Sequence, residues 1–294
     1  MTVYTTYSQV GKAEDVSNIL SDITPTDTPM LTMTKTEKVS ARTFSFLEDS
    51  LRAAASNAKV EGADAADITL IDIVERTNNT QILEETFRIS GSADAVKTYG
   101  RAKETALQLG KTLKSIKRDL EFSLVGVDQA AVAGSSSVAR KMASLINQIS
   151  TGIDAGANAT DALTEAKLLE AGQTAFNNGS DPSVFMIKPA DAQIVAGFSA
   201  SAGRNREVAQ GKTLVNVIDL YVSPYGEYKV VLNRHLETSH ALLIDPSMFK
   251  TCVLRPFTRT LLAKQGDSDR HMVVGEYSCK HSNFADSVKI TGLS

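Results

Sequence analysis

Six side chains in this 294-residue chain are suited to hold a soft metal ion or to act as nucleophiles: His235, His240, His271, His281, Cys252 and Cys279. Zinc sites draw on closely spaced pairs of such ligands. The tightest pair is Cys279-x-His281, and neither zinc-finger nor HExxH spacing occurs. Ordinary strand and loop histidines are the favoured reading. Gly211-Lys212-Thr213 resembles the end of a phosphate-binding loop, but the position where that loop needs its first glycine is Arg206. No G-x-S-x-G elbow is present, and neither cysteine stands in a protease motif. The carboxylates Glu84, Glu85, Asp267 and Asp269 stand in polar, surface-like contexts. The expectation is no catalytic residue, no cofactor and no metal.

Composition narrows the class further. Hydrophobic residues make up 42% and charged residues 22%, so a folded globular chain is expected rather than a disordered one. Net charge is −3, against the strongly basic balance of a dedicated nucleic-acid binder. Tryptophan is absent and aromatics are 6%, leaving few stacking platforms for single-stranded nucleic acid. No run of 18 apolar residues indicates a membrane-spanning helix, and Met1–Val10 lacks the basic start and apolar stretch of a signal peptide. Synthesis in the cytoplasm and no membrane partner are the expectations. Two cysteines are too few for a disulfide scaffold. A Cys252–Cys279 bridge stays open, because pairing depends on distance, although reduced thiols are the cytosolic norm.

The elements that would position these residues fall into five segments. Residues 1–35 read as an arm: turn formers dominate, Pro25 and Pro29 interrupt any helix, and Ile19, Leu20 and Met30 are candidate anchors onto another surface. A frayed tail is the alternative. Residues 36–90 read as an extended β-hairpin loop. Arg42–Phe46 alternates polar and apolar, Ile68–Val74 is β-branched, and the stretch between them is small, polar and turn-prone. Two strands of ten residues would reach about 30 Å at ~3.3 Å per residue. A lone hairpin of that length needs support.

Residues 91–154 carry the clearest periodicity. Ala102, Ala106, Leu109, Leu113, Ile116, Leu120 and Leu124 form one stripe of a long amphipathic helix, with Ser92 or Asp94 as N-cap and an end near Gly134. Its other side carries Lys97, Arg101, Lys103, Lys111, Lys114, Lys117 and Arg118 against Glu104, Asp119 and Glu121, seven minus three or +4. A solvated face explains such a pattern, and weak contact with a polyanion is the sharper reading. Ala139–Ile149 reads as a second helix. Residues 155–238 form an inserted module, with a helix over Asp161–Phe176, a buried strand at Val184–Ile187, a helix opened by Pro189, and strands Leu214–Val222 and Tyr228–Leu232. Residues 239–294 return to sheet: Ala241–Ile244, Lys250–Leu254, His271–Cys279 and Ser287–Thr291. Helices and strands mix without regular alternation, which favours α+β.

This order resembles the Hong Kong 97-type fold of tailed-phage major capsid proteins: N-terminal arm, extended loop, spine helix within a peripheral domain, and axial domain. Three stretches carry the resemblance. Ile23-Thr24-Pro25-Thr26-Asp27-Thr28-Pro29 is similar to a motif near the start of one large capsid family. Ala131–Gly134 with Ala139-Arg140-Lys141 resembles its segment after the spine helix. Leu254-Arg255-Pro256-Phe257, Leu262–Arg270 and Glu276-Tyr277 resemble its C-terminal signature.

The resemblance implies a subunit that self-assembles, as hexamers and pentamers, into an icosahedral shell around phage double-stranded DNA. Portal, scaffolding and decoration proteins are the implied partners, with weak contact to packaged DNA through Lys111, Lys114 and Arg118. The implied location is the virion capsid, assembled in the host bacterial cytoplasm. Some relatives crosslink a lysine to an asparagine between subunits, and no segment here assigns such a pair. Others carry a scaffolding segment removed by proteolysis. This chain starts almost at its arm, so scaffolding would be a separate protein or already removed. Two further readings stay open: a nanocompartment shell of the same fold, and a cytosolic α+β enzyme with an unrecognised site.

Overall fold

The computed structural model describes residues 27–62, 64–65, 67–96, 103–156, 162–201 and 220–293. The arm's first 26 residues, with Ile19 and Leu20, lie outside the described residues, as do Lys97, Arg101, Ala102, Arg206 and Gly211–Leu214.

Two sheets organise the described chain. The first has four strands in the order β1-β10-β11-β4: β1 (Lys35–Lys38), β10 (Phe249–Leu262), β11 (Ser268–His281) and β4 (Gln81–Ser90). The second has six, ordered β5-β12-β9-β6-β8-β7: β5 (Thr151–Asp154), β12 (Val288–Thr291), β9 (Ala241–Ile244), β6 (Val184–Ile187), β8 (Gly226–Leu232) and β7 (Leu220–Ser223). Segment 239–294, read from sequence as one returning sheet, therefore divides between both. The cause is its hydropathy: Ala241–Ile244 is buried at every position and suits a central strand, whereas β10 is largely open to solvent along its distal half.

The central strands of the six-stranded sheet explain where the core sits. Side chains alternate across a strand. Val184 and Met186 of β6, with Leu242 and Ile244 of β9, face one apolar cluster. Phe185 and Ile187, with Leu243, face another. The sheet is thus a wall between two cores. Helix α3 (Glu104–Val125) packs on the first through Ile116, Leu120 and Leu124, and helix α5 (Glu165–Asn177) on the second through Leu168, Ala171 and Ala175.

The long helix contains the expected periodic residues from Ala106 to Leu124 but ends well before Gly134. Ser90 caps a five-residue helix α2 (Gly91–Ala95) by accepting from Ala93 N at 3.3 Å, and Asp94 accepts from Thr105 N at 3.2 Å in the first turn of α3. Helix α3 ends at Gly126, where a Cβ would stand 2.6 Å from the carbonyl oxygen of His235. The helix expected over Ala139–Ile149 contracts to α4 (Leu145–Gln148). Before it, the side chains of Gln81 and Asn78 accept from the backbone N–H groups of Met142 (3.3 Å) and Ala143 (2.8 Å), and Val132 pairs with Lys141 as a β-bridge. Backbone held by side chains in that way cannot close helical turns.

The extended hairpin also differs. Strands β2 (Thr43–Glu48) and β3 (Val74–Asn79) pair antiparallel from Thr43↔Asn79 to Glu48↔Val74. The strand expected at Ile68–Val74 begins only at Val74, and Ile68–Ile73 is exposed and without strand structure. A β-branched segment needs a neighbouring strand to complete its hydrogen bonds, and within this subunit nothing among the described residues supplies one there. A short helix α1 (Pro29–Met33) precedes β1. Helix α6 (Ala192–Ser201) follows a 3-10 turn over Pro189–Asp191, as the proline's missing donor allows.

At the middle of the β10–β11 hairpin the register slips on either side of Arg255, where Pro256 cannot donate to the ladder. Phe257 then lies over Gly275, whose added Cβ would come within 2.6 Å of that ring.

Candidate functional site

The chemical candidates first. His235, His240, His271, His281, Cys252 and Cys279 do not gather: no group of three or more metal-binding side chains forms among the described residues. Both thiols are free and buried. Burial pushes Cys252 up to about 12 and Cys279 further still, so neither supplies a thiolate. Glu85 is raised by burial and by Asp119 nearby, with no cleft chemistry around it. Asp269 meets Lys264 at 3.3 Å on the exposed turn of the β10–β11 hairpin.

The surface is more informative. The stretch from Asp49 to Ile73 projects beyond the β2–β3 pair and carries large apolar side chains in the open: Leu51 is 94% exposed, Val60 81% and Leu70 79%. Ile68, Ile71 and Ile73 are exposed beside them. Single exposed leucines are ordinary, but contiguous apolar segments mark places where another surface belongs.

Its base is anchored by buried polar groups that the sequence analysis did not single out. Asn78, on β3, satisfies all its hydrogen-bonding capacity. Oδ1 accepts from Asn79 N and Ala143 N, both at 2.8 Å, and Nδ2 donates to the carbonyl oxygens of Cys279 at 2.7 Å and Ala143 at 3.3 Å. Gln148 continues the cluster: Nε2 donates to Ala143 O at 3.1 Å and Oε1 accepts from His281 N at 2.8 Å. Outside this, Phe46 stands 6.1 Å from Phe284, and Arg76 lies over the Phe284 ring at 4.7 Å. Glu48 accepts from both Arg76 Nε (2.7 Å) and Phe284 N (3.2 Å).

The other outlying segment is held by one carboxylate. Glu121, on α3 and fully buried, accepts from Met30 N at 2.9 Å and Asn233 Nδ2 at 2.7 Å through Oε1, and from Leu31 N at 3.0 Å through Oε2. It thus ties the descending arm, the long helix and the end of β8 at one point. Burial raises its pKa, against the lowering effect of those donors and of His235. Glu121 was grouped by sequence with the solvent face. Its place between Leu120 and Leu124 on the buried stripe was the available signal.

The basic face of α3 is partly seen. Lys103, Lys111, Lys114 and Lys117 are exposed and Arg118 half-buried, against Glu104 and Asp119. With Glu121 turned inward, the described part carries five bases and two acids, or +3.

Compared with known proteins, residues 2–294 match the family described as SU10 major capsid protein. The chain is 30% identical over 341 residues to the major capsid protein of Escherichia phage Phieco32, covering 99% of this chain and 97% of that one. Among solved structures it resembles the Cyanophage A-1(L) capsid asymmetric unit, at TM-score 0.69 and 11% identity over 98% of each chain. It also resembles the SrpI encapsulin of Synechococcus elongatus PCC 7942, at TM-score 0.64 and 11% identity over 100% of this chain and 97% of that one. Identities that low carry the fold alone.

Proposed function

Because the chain belongs to the SU10 major capsid protein family and builds a phage shell with the Hong Kong 97-type α+β fold, we propose that its uncovered segments are finished by neighbouring copies of itself. The observation that carries this reading is the 49–73 loop, whose isoleucines and leucines stand in water on an anchored β-stem. Repeated around hexamers and pentamers, one such contact closes a shell. Obligate interfaces of this kind bury on the order of 2,000 Å² or more, the scale at which many shared contacts resist internal pressure. The division that serves this role is an arm (1–35), an extended loop (36–90, whose β1 and β4 join the sheet of β10 and β11), a peripheral body with the spine helix (91–154, with β10 and β11 from 239–294), and an axial module (155–238). The axial module shares its six-stranded sheet with β5, β9 and β12.

The test is the double substitution Leu70→Asp with Ile73→Asp. Both side chains are exposed in the subunit, so its thermal midpoint is expected to stay within about 2 °C of the unsubstituted chain. Electron microscopy is expected to show no closed particles. Normal shells from this variant would remove the loop from the interface.

The enclosed cargo is double-stranded DNA, loaded through a portal onto a shell assembled in the bacterial cytoplasm, with scaffolding and decoration proteins as further partners. The +3 face of α3 supports a weak, salt-sensitive contact with that DNA. Replacing Lys111, Lys114 and Arg118 by glutamine is expected to lower the DNA retained per particle, with empty shells forming as before. Equal DNA content in both would end this assignment. The encapsulin likeness shows that the fold also serves nanocompartments, but the family match to phage capsid proteins favours the virion.

A further inference from the structure

The His281 ring sits in the middle of a three-ring stack. Phe249 stacks on it with centroids 4.1 Å apart and planes at 10°, and Phe284 stacks on it at 5.9 Å and 12°. Phe249 belongs to the closed core, whereas Phe284 is half-buried on the loop between β11 and β12. Phe284 is also the platform for the hairpin stem: Phe46, Arg76 and Glu48 all meet it at the distances given above. A single aromatic column therefore joins the core to the base of the extended loop, with an imidazole at its centre.

We infer that this column is a proton-sensitive seat: a charge on His281 loosens the β2–β3 stem from the body of the subunit while both sheets stay folded. This goes beyond the shell reading and holds for the subunit by itself.

Three features support it. First, Nε2 has Ser287 Oγ at 3.4 Å, while Nδ1 is buried with no hydrogen-bond partner. A neutral ring tolerates this, with Nδ1 as the unprotonated nitrogen. A cationic ring adds an N–H, which the Gln148 backbone favours but by less than burial of the ring disfavours it. Second, the surroundings do not compensate a positive charge. Asp245, from the β9–β10 connection, acts on the ring but makes no hydrogen bond with it. Asp286 stands beside Ser287 at 3.4 Å, with its own carboxyl raised by burial. From helix α4 the Gln148 backbone favours the charged ring, by less than burial disfavours it, and the Gln148 side-chain amide is already bonded to the His281 backbone N–H. On β2 and β3, Glu48 and Arg76 pair with each other beyond Phe284, and Lys280 on β11 lies against Phe46 at 5.3 Å. Burial accordingly pushes His281 down to about 4. Cation–π attraction to the two phenyl rings works the other way, but the buried ring has lost its water. Third, only one side of the column can yield. Phe249 is sealed in the core, so hydrating the ring means lifting Phe284, which breaks its bond to Glu48 and its contacts with Arg76 and Phe46.

Hydrogen exchange read by mass spectrometry on the full-length chain tests this, comparing peptides covering 43–48 and 74–79 with core strands 184–187 and 241–244. A histidine at its ordinary 6.5 when opened and about 4 when seated predicts about 20-fold more stem opening at pH 5 than at pH 7, after correction for intrinsic rates. The core strands are expected to hold their protection. His281→Phe, which keeps a ring without the titration, is expected to abolish the step. Should that variant not fold, the unsubstituted chain alone decides. Equal stem protection at both pH values, or stem and core loosening together, overturns the inference, as does a step that persists in His281→Phe.

Discussion

Glu121→Ala is expected to lower the stability of the subunit by about 3–5 kcal/mol, the largest effect of any single substitution proposed here, because it strands three donors at once. Met30 N, Leu31 N and the Asn233 amide all point at this one carboxylate, and water does not reach it. Glu121→Gln keeps one acceptor oxygen but turns an NH2 toward a donor, so its cost is expected to fall between alanine and the original. The pair also separates charge from shape. The folded-state pKa of Glu121 is raised above the ordinary 4.5 by burial. The folded chain therefore binds its proton more tightly than the unfolded chain. The stabilisation this gives is fully present below 4.5 and is lost as pH rises through the folded-state value. Urea unfolding across that window is expected to show the original chain gaining on Glu121→Gln as pH is lowered. A constant difference would mean that the carboxylate does not titrate there.

Asn78→Ala ranks second, at about 3–4 kcal/mol, or a thermal midpoint lower by roughly 6–12 °C for a chain of this size. Asn78 supplies two donors and accepts twice, joining β3 to the Ala143 backbone and to β11. Alanine removes the acceptor of two buried N–H groups and leaves the Ala143 and Cys279 carbonyls only the Gln148 amide and the Cys279 thiol as side-chain donors. Asn78→Asp is expected to be worse, since a carboxylate cannot donate to Cys279 O or Ala143 O. Calorimetry on the purified chain checks both, and a loss under about 1 kcal/mol for alanine would show that water or a shifted backbone replaces the amide.

Much of the architecture was legible in the residues. The stripe at Ile116, Leu120 and Leu124, the buried run Val184–Ile187 and the four apolar residues Ala241–Ile244 all took the form their periodicity implied. Two kinds of feature were not. A segment's propensity says nothing about whether a partner strand exists, so Ile68–Ile73 read as a strand but is left open in the single subunit. A polar residue on a helix looks solvent-facing unless its long-range partners are known. Glu121 meets Met30 across 91 positions of sequence, and Asn78 meets Cys279 across 201. Such clusters arise from tertiary geometry and leave only a faint trace in local pattern. The capsid signature at Leu254–Arg270 identified the family, while the groups that seat the loop and the arm lie elsewhere in the chain.

The strand order β5-β12-β9-β6 has a bearing on when a subunit is complete. β12, residues 288–291, sits between β5 near position 151 and β9 near position 241. β9 already has β6 as a partner, but β5 joins the sheet only through that short strand, across more than 130 positions of sequence. A nascent or truncated polypeptide lacking those four residues has no link between its edge strand β5 and the rest of the sheet. Residues 288–291 thus complete the wall on which both cores rest, so the last strand of the chain closes the fold that the first strands of the module begin.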